Sequence, residues 1–334
     1  MAFPGTVHTY SPRRLIAFEH APPPSQSSSP SPSTSTSTSS SLNTLLWIGG
    51  LSDGLLTVEY PQKISTILPP TWRIAEVHLS SSYKGWGLSS LARDARELGQ
   101  CVAYFKTLRP GGKVVLMGHS TGCQDVMQYV VGQKGAGEED RIPIDGGILQ
   151  GGVSDREAWD SMMAEETPER RALFERTKRT ARDLVDAGRG KEVMGREGNI
   201  MYEEFNTPVT AYRIDSLLSA GGDDDYFSSD LSDDVLAKTF GRFPPSTPLM
   251  FLLGELDPYV PASVSREGLI TRWTDAVRKG GGVVDDGNGG VVEGAHHNLN
   301  DDPEDAVRDL AERVVRFLRG VESGEVGKGE GARL

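Results

Sequence analysis

Apolar residues along this chain recur with two different periods. TLLWIGG from Thr44, WRIAEVHL (72–79), KVVLMG (113–118), GGILQ (146–150) and PLMFLLG (248–254) are short, near-continuous apolar runs. Such runs are what strands buried on both faces of a parallel sheet look like. RRLIAFE (13–19) and VVEG (291–294) add two shorter strands, one at each end. Between the runs the period lengthens. Over 89–108, Leu91, Ala95, Leu98, Val102 and Phe105 fall on one helical stripe, which Pro110 and two glycines end. Helices are likewise expected over 123–131, 263–278 and 303–319, the last carrying Val307, Leu310, Val314 and Phe317. Strand and helix alternate, so the pattern predicts an α/β protein: a mostly parallel sheet with helices on both faces.

The alternation breaks between Asp155 and Phe243, where no buried strand can be read. Residues 155–190 are charged and helical, and 213–240 are helix and loop around Asp223, Asp224 and Asp225. We read this stretch as a helical cap inserted into the sheet. The expected organisation is a first core segment over 1–154, a cap over 155–245, a second core segment over 246–322 and a loose tail over 323–334. Residues 21–41 are almost entirely serine, proline and threonine, which bury no core, and are expected to form a disordered loop between two strands.

Composition narrows the chemistry. The net charge of −12 gives no attraction to phosphate backbones or anionic membranes, so neither nucleic acid nor membrane is an expected partner. No stretch reaches the apolar length of a membrane span, and the N-terminus has no signal-peptide core, so a cytoplasmic location is expected. Cys101 and Cys123 are too few for a disulfide framework, and no zinc-type spacing appears. No metal or cofactor is expected.

The chemistry centres on Gly118-His119-Ser120-Thr121-Gly122, a G-x-S-x-G between a buried strand and a helix. A turn that tight needs glycine on both sides and leaves the serine oxygen at the carboxyl end of the sheet. Serine is a weak nucleophile without a base. In the chain order Ser, acid, His, the acid belongs on the loop after PLMFLLG, where Asp257 is preferred and Glu255 is the fallback. The base belongs after VVEG: GAHHNL offers His297, with His296 second. Two backbone N–H groups should meet a developing oxyanion, one from Thr121 and one from the loop WIGGLSDG, where Leu51 is preferred over Gly50. Tyr83 and Trp86, on a loop after a core strand, are candidate substrate-binding residues, and either would serve equally in packing. The three aspartates at 223–225 read as a solvated loop, with attraction of substrate amines as the alternative.

IGGLSDG, SSYKGWG, GHSTGCQD, LQGGVSDREA, the DDDYFSSDLSDD stretch and GAHHNL together resemble one α/β-hydrolase family of fungi and plants, which includes the intracellular siderophore esterases of filamentous fungi. The resemblance covers most of the chain beyond residue 43. It implies the α/β-hydrolase fold, a Ser120–His297–Asp257 triad, and a small-molecule ester substrate such as a fusarinine-type hydroxamate siderophore, opened to release iron inside the cell. The competing expectations are a carboxylesterase acting on another ester and a hydrolase-fold protein that binds without turnover.

Overall fold

A computed structural model describes residues 2–23, 41–133 and 140–326. The loop expected over 21–41 and the tail from 323 fall largely outside the described residues.

The chain forms strands β1 (Gly5–Thr9), β2 (Ile16–His20) and β3 (Asn43–Ile48), helix α1 (Tyr60–Ile67), strand β4 (Trp72–Val77) and helix α2 (Leu91–Leu108). Strand β5 (Val114–His119), helix α3 (Gly122–Val130) and strand β6 (Gly146–Gln150) follow. Helices α4 (Asp155–Ala164), α5 (Pro168–Asp186), α6 (Ile200–Phe205), α7 (Ala211–Leu218) and α8 (Asp233–Lys238) come next. Strand β7 (Leu249–Gly254), helix α9 (Arg266–Lys279), strand β8 (Gly290–Val292) and helix α10 (Glu304–Ser323) complete the fold.

The strands make one eight-stranded sheet in the order β1-β2-β4-β3-β5-β6-β7-β8. From β4 to β8 every pairing is parallel; β1 and β2 are antiparallel additions at one edge. This is the α/β-hydrolase architecture. The apolar runs are continuous because both faces of the sheet are covered. In β3, Leu46 and Ile48 pack into the layer with α2, α3 and α9, while Leu45 and Trp47 pack into the layer with α1 and α10. All five stripe residues of α2 are buried, and Ser90 caps that helix by accepting from the Arg93 N–H.

Two elements went unread in the sequence. β1, with the sequence GTVHT, is an exposed edge strand without an apolar run, and α1 is eight residues long with a proline in its first turn. The first expected strand also starts later than its apolar run suggested. Arg14 takes a positive φ of 61° in a turn closed by a bond from its N–H to the Ser11 carbonyl, so Arg13, Arg14 and Leu15 belong to the hairpin turn.

Over the carboxyl end of the sheet, helices α4 to α7 gather a third apolar cluster around Trp159, Phe174, Ile200, Met201 and Ile214. These helices occupy the stretch in which the sequence shows no buried strand. Its far boundary is less sharp than the sequence suggested, because Phe227, Leu236, Phe240 and Phe243 pack into the main core instead.

Candidate active site

The strand-to-helix turn after β5 holds Ser120 at a φ of 53°. A side chain rarely adopts this conformation, and the surroundings enforce it. The Ser120 N–H donates to the Gln150 carbonyl at 3.0 Å, and its own carbonyl accepts from the Cys123 N–H at 2.8 Å. A Cβ on Gly118 would stand 2.3 Å from the Gly122 carbonyl oxygen, and one on Gly122 would stand 2.3 Å from that of Ile48. Glycine at both flanks is therefore a packing requirement.

Ser120 Oγ lies 2.7 Å from Nε2 of His297, and Nδ1 of the same ring lies 2.7 Å from the Asp257 carboxylate. A carboxylate only accepts, so Nδ1 carries the proton and Nε2 is left to accept from the serine hydroxyl. Asp257 is 1% exposed, and its second oxygen accepts from the Tyr259 N–H at 2.9 Å. The three side chains arrive from the ends of β5, β7 and β8, as the chain order required. The fallbacks are engaged elsewhere. The Glu255 carboxylate accepts from the Gly294 N–H at 2.8 Å, and His296 makes its own pair with Asp302, Nδ1 to oxygen, at 2.6 Å.

The N–H groups of Leu51 and Thr121 have no acceptor among the described residues, whereas the Gly50 N–H donates to the Asp53 carboxylate at 2.9 Å. Gly50 still matters by being small: a Cβ there would stand 2.6 Å from that of Ser120. The loop bearing Leu51 thus passes directly over Ser120.

These groups open into a cavity of about 550 Å³. Ser120, His297 and Tyr259 form part of its floor, and Trp159, Met163 and Phe205 of the cap form part of its wall. Tyr83 and Trp86, read as substrate-binding candidates, do not line it. Trp86 is 2% exposed, donates to the Ser52 hydroxyl at 3.0 Å and packs edge-on against Phe205, so it supports the wall from behind. Tyr83 is exposed on the outer side of the same loop.

Three neighbours escaped the sequence reading. His119, the variable residue of the motif, stacks on Trp47 and shares the Gln150 amide oxygen with the Tyr60 hydroxyl. The Gln150 amide nitrogen in turn donates to the His297 carbonyl at 3.1 Å, which fixes the His297 loop to the end of β6. Burial, with the nearby His297 ring second, lowers the His119 pKa to about 4, so it stays neutral beside His297. Asp53 carries Gly50 and Thr57 on its two oxygens. Only the position of His119 inside the motif was available as a signal.

Of the aspartates at 223–225, Asp223 is exposed as a solvated loop would have it, and Asp224 is not. Asp224 is 3% exposed and pairs with the buried Arg213, while Asp223 accepts from the Tyr212 hydroxyl at 2.5 Å. Cys123 is buried, with its thiol against the Gly118 and Gln150 carbonyls, and is packing. Among the described residues no three His, Cys, Asp or Glu side chains are arranged to share a metal ion, and no helix is long and apolar enough to cross a membrane.

Comparison with known proteins places relatives around this geometry. The family model described as protein of unknown function DUF1749 matches residues 1–319. Fusarinine C esterase SidJ of Aspergillus fumigatus is 35% identical, over 94% of this chain and 95% of that protein. Esterase AN6793 of Emericella nidulans is 34% identical, over 96% of this chain and 93% of that protein. Among solved structures, siderophore hydrolase EstB from Aspergillus fumigatus superposes with a TM-score of 0.79 at 33% identity, covering 96% of this chain and 98% of its own. A carboxyl esterase from Bacillus coagulans, at 15% identity and a TM-score of 0.57, shares the fold.

Proposed function

Since the chain belongs to the DUF1749 family and has the α/β-hydrolase fold, we propose that it is a serine esterase that opens the ester bonds of fusarinine-type hydroxamate siderophores. The observation that carries the reading is the hydrogen-bonded chain Ser120–His297–Asp257, 2.7 Å at each link, at the floor of a cavity walled by the cap. His297 takes the serine proton as Oγ attacks the ester carbonyl, and Asp257 holds the ring in the accepting tautomer. The N–H groups of Thr121 and Leu51 meet the negative charge that forms on the carbonyl oxygen. His297 returns the proton to the leaving alcohol, leaving an acyl group on Ser120. Water activated by the same histidine then releases it.

The cap supports the substrate class. A bulky ester needs volume above the nucleophile, and about 550 Å³ is available there. The lining includes Asp53, Asp155, Glu166 and Glu204 and no lysine or arginine, although Arg170 behind it pairs with both glutamates. That field favours a neutral or amine-bearing substrate over an anionic one. Opening the ester backbone separates the hydroxamates that chelate iron, so the reading extends to iron release inside the cell. Its test is a panel of ferric and iron-free fusarinine-type esters, alongside short p-nitrophenyl esters, followed by mass spectrometry. The proposal expects linear products from the siderophores, with kcat/KM at least about tenfold above the short esters, which is a difference of some 1.4 kcal/mol in transition-state binding. Turnover of short esters with the siderophores untouched would overturn the substrate class, and turnover of neither would overturn the esterase reading.

A further inference from the structure

Beneath the loop that carries Gly50 and Leu51 lies a second cavity, of about 20 Å³, the size of one water molecule. Its lining includes Gly50 and also Leu51 and Thr121, the two residues whose N–H groups the proposed mechanism turns to the oxyanion. The same lining holds Asp94, Asp125 and Arg213, together with Asp53, whose carboxylate accepts from the Gly50 N–H. Arg213 comes from cap helix α7, Asp94 from α2, and Asp125 from the first turn of α3, the helix that Thr121 starts. All are buried: Arg213 is 3% exposed, Asp94 2% and Asp125 6%.

The charges here do not balance by themselves. Arg213 is ion-paired with Asp224, which also accepts from the Ser216 hydroxyl. Asp94, Asp125 and Asp155 share the field of the same guanidinium. Asp94 is also faced by Glu97 and by the Ser89 and Ser81 hydroxyls; Asp125 by Glu97 and Asp224; and Asp155 by Asp224 and Asp225. Glu97 is in turn paired with Arg93 at 3.0 Å. An ionised carboxylate in this low-dielectric layer repels the negative charge that ester attack creates on the other side of the loop. Arg213 is the cation in the layer that opposes this repulsion.

We propose that Arg213 is a positioning residue for the hydrolytic centre: the cap supplies the buried counter-charge that keeps the layer under Leu51 and Thr121 from opposing the oxyanion. The inference rests on the serine-esterase reading. It gives the cap a task besides substrate selection. It also makes turnover sensitive to the protonation of the layer. Burial, with the neighbouring carboxylates and against Arg213, raises Asp94 and Asp155 to about 7 and raises Asp125 as well.

The test is steady-state hydrolysis of a p-nitrophenyl ester from pH 6 to 9 by the wild type, Arg213→Met, Arg213→Lys, Asp94→Asn and the double variant R213M/D94N, with Tm for each. Arg213→Met should lower kcat by at least about tenfold with KM changed by less than about threefold, the split expected when an interaction made only in the transition state is lost. Arg213→Lys and the double variant should each recover most of that loss. Asp94→Asn should flatten the fall of kcat above about pH 7, since one of the groups that charges there is gone. A merely structural arginine would lower Tm and leave the shape of the pH profile and the kcat of folded enzyme alone, which would overturn the proposal. So would a double variant no better than R213M. If R213M does not fold, the D94N profile and R213K decide, an unchanged profile counting against the proposal. Absence of ester turnover by the wild type would be a failure of the esterase reading instead.

Discussion

His296 and His297 are neighbours in the chain, yet their rings do different work. His297 is only slightly exposed and has both nitrogens engaged, one on Ser120 and one on Asp257. His296 is half exposed, with its ring and its backbone N–H both tied to the buried Asp302. The two substitutions should therefore separate. His297→Ala should cost at least about 10³-fold in kcat, because a serine without its base loses most of its reactivity. His296→Ala should cost less than about tenfold, through the shape of the cavity rim. The comparison is made by steady-state kinetics on one ester, and the reverse ranking would move the base to His296. At this scale the three side chains that the structure brings together could be picked out because the chemistry proposed for them is bound to position: a serine between two glycines, an acid after one strand, a histidine after the next. His119, Gln150 and Asp53 were not, because their partners come from other strands and loops and no spacing along the chain records that.

At the scale of elements, what could be read was whatever hides both faces or one clean stripe. β3, β5, β6 and β7 are continuous apolar runs because helices cover each side, and α2 shows its stripe because one side of it stays wet. β1 and α1 lack such a signature, one at a sheet edge and the other very short. The acidic run at 223–225 looked solvated because the sequence does not show Arg213 folding back to meet Asp224. The packing of α2 is open to a direct check. Leu98 is fully buried in the main core, so Leu98→Ala should cost about 2–5 kcal/mol in a denaturant titration. A loss below about 0.5 kcal/mol would mean that α2 does not pack as described. The buried acids make a second prediction. Asp94 and Asp155 are raised in the fold by burial, so between about pH 4 and 7 the folded chain holds more protons than the unfolded one. Their contribution to stability is full below the unfolded pKa and is lost as pH rises through about 7. Thermal melts from pH 5 to 8 should show the wild type losing more Tm than Asp94→Asn over that range. Parallel curves for the two proteins would contradict the raised carboxylate.

Taken as a whole molecule, the chain is a sheet that delivers three side chains to one point and a helical cluster that roofs them. The α/β alternation showed where the sheet lies, and helices α4 to α7 fall where that alternation is interrupted. The cavity between them was not legible, since the residues that line it, Trp159, Met163 and Phe205 among them, look like ordinary helix-core residues until sheet and cap are assembled. That is also why Tyr83 and Trp86 were expected at the site: the loop they occupy is the right one, but it supports the cavity from behind. The account depends throughout on Ser120 being the atom that takes the acyl group. The most direct measurement is intact-protein mass spectrometry after treatment with a fluorophosphonate, with peptide mapping of the adduct, on the wild type and on Ser120→Ala. The account predicts a single adduct on Ser120, none in the variant, and loss of ester turnover in step with labelling. An adduct on another residue, or a variant that still hydrolyses esters at more than a tenth of the wild-type rate, would contradict it.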